Sequence, residues 1–403
     1  MKIRSITYFC NPSWPLDRAV LEQAGDFLTE AKPAYEEVGY EVQTVRLATI
    51  PFPLLLPKGF ETDEAVAFAQ ALEAEGTARG FDYISVGPAL PEEPSSYAVI
   101  SDMLAATENI FASGVISSPQ AGISLPAARA CAEIITQLSP LDENGFANLY
   151  FAALANVPAG APFFPAAYHR GDTPAFALAI ESADLAVENF TKAESLAEAR
   201  QNLTNALEEH GRRLTKVVEK LKLTFGGIDF SLAPFPQESL SLGTAFERLG
   251  VPAVGLHGSL AAAALITEII DRANFPRTGF SGLMLPVLED PTLAARAPEA
   301  VLTGKDLLPY SAVCGTGLDT LPLPGETTSE QIAPLLLDLA ALAQRLNKPL
   351  TARLMPIPGK KAGEATDFDF AFFANSRVLA LNSQPLRGPL ARDETLILET
   401  IKR

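Results

Sequence analysis

Cysteine is nearly missing from this chain: its 403 residues include three, Cys10, Cys131 and Cys314, far apart and without CxxC spacing. So small and scattered a set excludes a disulfide framework or a structural zinc site, and makes a reducing cytoplasm the expected location. Histidine is as scarce, with only His169, His210 and His257, so a histidine-rich metal centre is not expected. Basic residues number 31 against 48 acidic ones, a formal charge of −17. Such a chain lacks the cationic footprint that a phosphate backbone or an anionic bilayer requires, which removes nucleic acid and membranes from the expected partners. The longest apolar stretch, from Val251 to Ile270, is interrupted by His257, Gly258 and Glu268. A spanning helix needs about 20 mostly apolar residues. The run at residues 3–10 is short, stops at Asn11-Pro12 and reads as a first strand, not a secretion signal.

What the chain does have is apolar mass. Hydrophobic residues make up 48% and charged residues 20%, enough for a large core. Strand-like runs at 3–9, 41–47, 82–86 and 115–118 alternate with helical stretches at 16–38, 62–79, 97–110 and 125–137. This rhythm implies parallel strands joined by crossover helices. Residues 174–223, poor in glycine and proline, read as two long helices broken near Gly211 or within 191–196. Further on, strands are expected at 225–232, 282–288, 350–357 and 370–381, and helices at 240–249, 259–272 and 329–346. One α/β domain over 1–403 with about ten strands is expected, the 174–223 helices packed on it.

Chemistry-bearing residues concentrate towards the C-terminus. In Tyr310-Ser311-Ala312-Val313-Cys314-Gly315-Thr316-Gly317-Leu318-Asp319, a thiol stands beside two glycines. Backbone amides at Gly315 and Thr316 can form an anion-binding nest and lower a thiol pKa, with Asp319 as a polar partner. Alternatively, Cys314 is a small buried hydrophobe and the glycines only make a turn. Arg353, Lys360 and Lys361, in a strand and the turn after it, can grip a carboxylate or phosphate, though no Walker A pattern is present. Asp367 and Asp369 share one face of an extended segment and, with Asp319, make a divalent metal a third, less favoured reading. Ser239 lies where a strand leads into a helix, as a cap or an anion contact, and His257 is an acid–base candidate beside an apolar helix.

The Cys314 loop, the Pro358-Gly359-Lys360-Lys361-Ala362-Gly363 turn, Ser231-Leu232-Ala233-Pro234 and Asn375-Ser376 together resemble the family known as domain of unknown function 711, whose members are often labelled pyruvate formate-lyase-like. That resemblance implies a ten-stranded α/β barrel with a hairpin threading it, residues 306–325, and Cys314 at the hairpin tip. It does not imply the radical chemistry. A glycyl-radical loop reads Arg-Val-x-Gly-aromatic, whereas here Arg377-Val378-Leu379 is followed by Ala380 and Leu381. A pair of adjacent cysteines is missing too.

The expectation is therefore a radical-independent enzyme that binds a small anionic metabolite, a carboxylate or phosphate, within the barrel. Cys314, Asp319 and His257 would carry acyl or carboxylate chemistry; Arg353, Lys360, Lys361, Gly315, Gly317 and Ser239 would hold the substrate. The alternative is a non-catalytic metabolite-binding or regulatory protein on the same fold. A homodimer is the default for a soluble enzyme of this size.

Overall fold

The computed structural model describes residues 1–299 and 301–401. Eleven strands form one mixed sheet: β1 Lys2–Cys10, β2 Val42–Thr49, β3 Tyr83–Ala89, β4 Ile110–Ser118, β5 Gly122–Ser124, β6 Phe151–Ala155, β7 Ala175–Glu181, β8 Thr224–Ala233, β9 Gly317–Pro324, β10 Leu350–Ile357 and β11 Thr395–Leu396. The main order is β8-β7-β1-β2-β3-β4-β6-β10-β9, with the short pair β5 and β11 attached at β4. The run from β1 through β2, β3 and β4 to β6 is parallel. The pairs β7–β8 and β9–β10 are parallel within themselves and antiparallel to that run.

Side-chain alternation sorts the two faces of the sheet. Tyr8 and Cys10, Leu47, Ile110 and Ala112, and Phe151 and Ala153 pack into the main core. Their neighbours Phe9, Ala48 and Phe111 join a separate cluster with Phe164 and Ala167. Ala152 and Leu154 likewise pack with Phe163, Ala166 and Phe280. The period of two directs alternate residues to the two faces. The main core is the face shared with the helices, among them Arg18–Glu36, Thr62–Thr77, Leu125–Leu138 and Ser329–Leu346. Their starts are chemically marked: Asp17 and Ser124 accept from backbone amides as caps, and Thr328 with Gln331 makes a capping box.

Against the second face lies the chain at 161–169. Ser85 donates to the Ala167 carbonyl (2.7 Å), and the His169 amide donates to the Thr49 carbonyl (2.8 Å). The segment placed there is thus 161–169 and not 306–325. The latter is no threading hairpin: it is the helix Gly304–Val313 followed by β9. Residues 282–288 are not a regular strand, yet they touch both ends of the sheet order. The Met284 amide donates to the Ser231 carbonyl of β8 (3.0 Å), and the Val287 amide to the Asp319 carbonyl of β9 (3.2 Å). Strand pairing itself does not close the sheet. Residues 370–381 also form no strand, and 174–223 begins with β7 before the helices Ala183–Lys192 and Leu196–Val218.

Among the described residues, no helix is long and apolar enough to cross a membrane.

Candidate anion-binding site

Three guanidinium groups meet at a cavity of about 80 Å³: Arg4 from β1, Arg46 from β2 and Arg353 from β10. Each stands inside a strand made mostly of apolar and small polar residues. Two of them are neutralised by carboxylates. Arg353 donates through Nε to Asp319 Oδ1 (2.6 Å) and through a terminal nitrogen to Glu289 Oε1 (2.8 Å). Arg4 donates to the other Glu289 oxygen (2.5 Å) and lies 3.5 Å from Glu181. Burial alone would weaken the Arg353 charge, but Asp319 and Glu289 hold its pKa above the ordinary value.

Arg46 differs. Its Nε donates to Thr44 Oγ1 (2.9 Å), and among the described residues no carboxylate pairs with it and no hydrogen bond engages its terminal nitrogens. The guanidinium instead lies over the rings of Phe164 (5.0 Å) and Tyr83 (5.6 Å). Desolvation, with Arg4 adding repulsion and Tyr83 and Glu289 opposing it, pushes its pKa down to about 9. A half-buried cation with no carboxylate in contact is an arrangement that an incoming anion relieves. The walls are largely aromatic and apolar, including Phe111, Phe163, Phe370 and Met284.

Two further acids complete the surroundings. Asp229, which also lines the cavity, accepts from the Ser231 hydroxyl and from the Phe280 and Ser281 amides (both 2.9 Å). Burial pushes its carboxyl up, against those hydrogen bonds. Gly279 permits this geometry: at φ +61, a Cβ there would stand 2.2 Å from Asp229 Oδ2. Asp319 is 1% exposed, and its Oδ2 has no partner. Desolvation raises its pKa, opposed by Arg353 and reinforced by Glu289.

Of the residues singled out from sequence, the structure brings Arg353 and Asp319 together here. Cys314 lies elsewhere, buried in the main core as the C-cap of Gly304–Val313, its thiol pKa pushed up by burial despite Lys348 nearby. Gly315 serves packing: a Cβ on it would stand 2.9 Å from Gly282 Cα. At Gly317, φ is +100 and a Cβ would meet the Thr351 carbonyl at 2.3 Å. Lys360 donates to the Ala365 carbonyl (2.7 Å) and Asp367 (2.8 Å) on a turn, and Lys361 is exposed. Ser239 is exposed in a short turn, and the helix it was expected to cap, Leu242–Arg248, is capped by Ser241. His257 is exposed. Asp319, Asp367 and Asp369 do not assemble: among the described residues, no group of three or more His, Cys, Asp or Glu side chains could hold a metal ion.

Sequence reasoning passed over Arg4, Arg46, Glu289 and Asp229. A readable signal existed for the two arginines. Parallel strands covered on both faces read as nearly continuous apolar runs, so a guanidinium in mid-strand is an anomaly to explain.

Fold and site together define a mixed α/β protein with an arginine–carboxylate cavity against one face of its sheet. The family model described as Uncharacterised ACR (DUF711) matches residues 1–375, and the chain belongs to that family. Among similar curated proteins is a UPF0210 protein of Pyrobaculum islandicum, 30% identical over 400 residues, covering 93% of this chain and 87% of the relative. Another, from Pyrobaculum aerophilum, is 31% identical over 374 residues, covering 87% and 82%. A third, from Leuconostoc mesenteroides, is 27% identical over 370 residues, covering 87% and 82%.

Proposed function

We propose that this protein binds a small anionic metabolite, a carboxylate or phosphate, in the cavity between Arg4, Arg46 and Arg353, and acts on it without a glycyl radical. The observation that carries this reading is the Arg46 guanidinium, which faces the cavity with no carboxylate in contact while its two neighbours are paired. Charge-assisted contacts to guanidinium are among the strongest a small anion can make. The test is thermal unfolding in a panel of small carboxylates and inorganic phosphate. At least one anion is expected to raise Tm in the parent protein and not in Arg46→Met. A ligand at a hundred times its Kd stabilises by about 2.7 kcal/mol, an easily read shift. No response to any anion, or an undiminished response in Arg46→Met, removes the proposal.

Asp319 favours an enzyme over a passive binder. It joins the cavity through Arg353, its second oxygen is buried without a partner, and its carboxyl is poised above the ordinary range, as a proton carrier requires. Cys314 as nucleophile draws no support from a buried thiol whose pKa is raised.

The same reading takes the sheet as a ten-membered barrel of the pyruvate formate-lyase-like kind, with residues 282–288 as its tenth stave. Its support is the backbone bonding of Met284 to Ser231 and of Val287 to Asp319, which reaches from one edge strand to the other.

A further inference from the structure

Resting on that anion-binding reading, we infer that the ligand is a monoanionic carboxylate carried on a flat aromatic body. Three features of the cavity narrow the class this far.

The first is the charge count. Arg4 and Arg353 share Glu289, Arg353 also holds Asp319, and Glu181 stands 3.5 Å from Arg4. With Asp229 in the wall, four carboxyl groups thus stand near three guanidinium groups, and Arg46 is the one guanidinium with no carboxylate in contact. The least charged anion that can pair with it, a monoanion, adds least to this balance. A phosphate dianion would bring a second charge into a buried place already rich in carboxylates, where like charges are weakly screened.

The second feature is the way Arg46 is presented. Thr44 occupies its Nε, and the rings of Phe164 and Tyr83 lie against the guanidinium, which leaves the terminal nitrogens for the ligand. Two terminal nitrogens in one plane match the two coplanar oxygens of a carboxylate, in the fork-to-fork contact that gives both strength and orientation.

The third feature is the wall. Beyond Arg46 the cavity is bounded by Phe111, Phe163, Phe164, Phe370 and Met284. Phe111 makes edge contacts at 5.3 Å with both Tyr83 and Phe164, so the rings are held by one another. Fixed aromatic edges and faces favour a flat apolar body over a flexible or hydrated one. The volume of about 80 Å³ has room for roughly five to eight water-sized groups, the scale of one substituted ring and not of a nucleotide.

The test is titration calorimetry at neutral pH with benzoate, acetate, inorganic phosphate and the neutral isostere benzamide, on the parent protein, Arg46→Met and Phe164→Leu. Benzoate is expected to bind. Acetate, phosphate and benzamide should bind at least about tenfold more weakly, since each lacks one of the matched features. Arg46→Met should weaken benzoate about 30-fold or more, and Phe164→Leu by a smaller factor, both variants melting cooperatively. If acetate or phosphate binds as well as benzoate and that binding is lost in Arg46→Met, the anion site stands and the aromatic monocarboxylate is wrong. Benzamide binding equal to benzoate likewise overturns it. If no anion binds, or Arg46→Met binds all of them unchanged, the site itself is refuted along with its ligand.

Discussion

Asp319 and Arg353 form a buried pair whose acid has one oxygen clamped and one left alone. Because desolvation raises the acid's pKa in the folded state, folding favours its protonated form. The sign follows from linkage. Below the unfolded carboxylate pKa, near 3.9, the contribution to stability is fully present; it is lost as pH rises towards the raised folded value. Urea unfolding at a series of pH values should therefore show a component that falls as pH climbs from about 4 towards neutrality. Asp319→Asn should flatten that component, at the cost of leaving Arg353 with Glu289 as its remaining carboxylate partner. An unchanged pH profile in the Asn variant would show that Asp319 is ionised throughout.

The Cys-Gly-Thr-Gly turn and β9 meet residues 282–288 through hydrogen bonds of Thr316 and Asp319 and, at the closest approach, through glycine on both sides. A Cβ on Gly315 would stand 2.9 Å from Gly282 Cα and 3.1 Å from the Leu283 amide nitrogen, both backbone atoms that cannot rotate away. Gly315→Ala is expected to cost about 1–3 kcal/mol, as overpacking does, read as a lower urea midpoint at constant slope. An unaltered midpoint would mean the turn relaxes freely. The glycines that looked like a thiol loop in sequence are thus explained by close backbone approach, which a one-dimensional pattern cannot distinguish from ligand approach.

Regular elements were the legible part. The helices at 259–272 and 329–346 and the strand at 350–357 are found at the expected residues, because periodicity, capping and length agree there. The strand β9 was missed because Pro322 and Pro324 read as breakers. Among the described residues its ladder partner is β10, and its other side is bonded at isolated points, by the Val287 amide to Asp319 and the Leu379 amide to Pro322, which leaves places for prolines. The strand β6, Phe-Ala-Ala-Leu-Ala, has no β-branched residue and so carries no strand signal in the sequence. Residues 370–381 carried a strand-like pattern, but their phenylalanines pack on one another and on Phe146, not in a ladder. Of the site, Arg353 and Asp319 were legible as charges beside marked motifs. Arg4 and Arg46 stand out in the sequence only as charges in mid-strand; that they meet becomes visible when the sheet order places β1 beside β2 and the carboxylates of Arg4 arrive from distant residues.

At the scale of the whole molecule, a net charge of −17 surrounds an internal cation. The long-range field opposes the approach of an anion, while the contact itself is shielded from solvent ions. Raising ionic strength from about 0.01 to 0.15 M, where the Debye length shortens from roughly 30 to 8 Å, should therefore speed anion association and leave dissociation nearly constant. Stopped-flow binding with a bulky, non-competing salt measures both rates. Association that slows with salt would place the controlling field at the basic cluster instead.

The site draws on Arg4 and Arg46 near one end of the chain and on Glu289, Asp319 and Arg353 far towards the other. During synthesis the first two arginines emerge long before any carboxylate that pairs with Arg4, and the residues that join β8 to β9 come just before Glu289. No fragment that stops short of β10 contains the full constellation. Anion binding at the proposed site consequently requires a chain that extends through β10, so a ligand present in the cell would stabilise such molecules and do nothing for fragments that stop short of it.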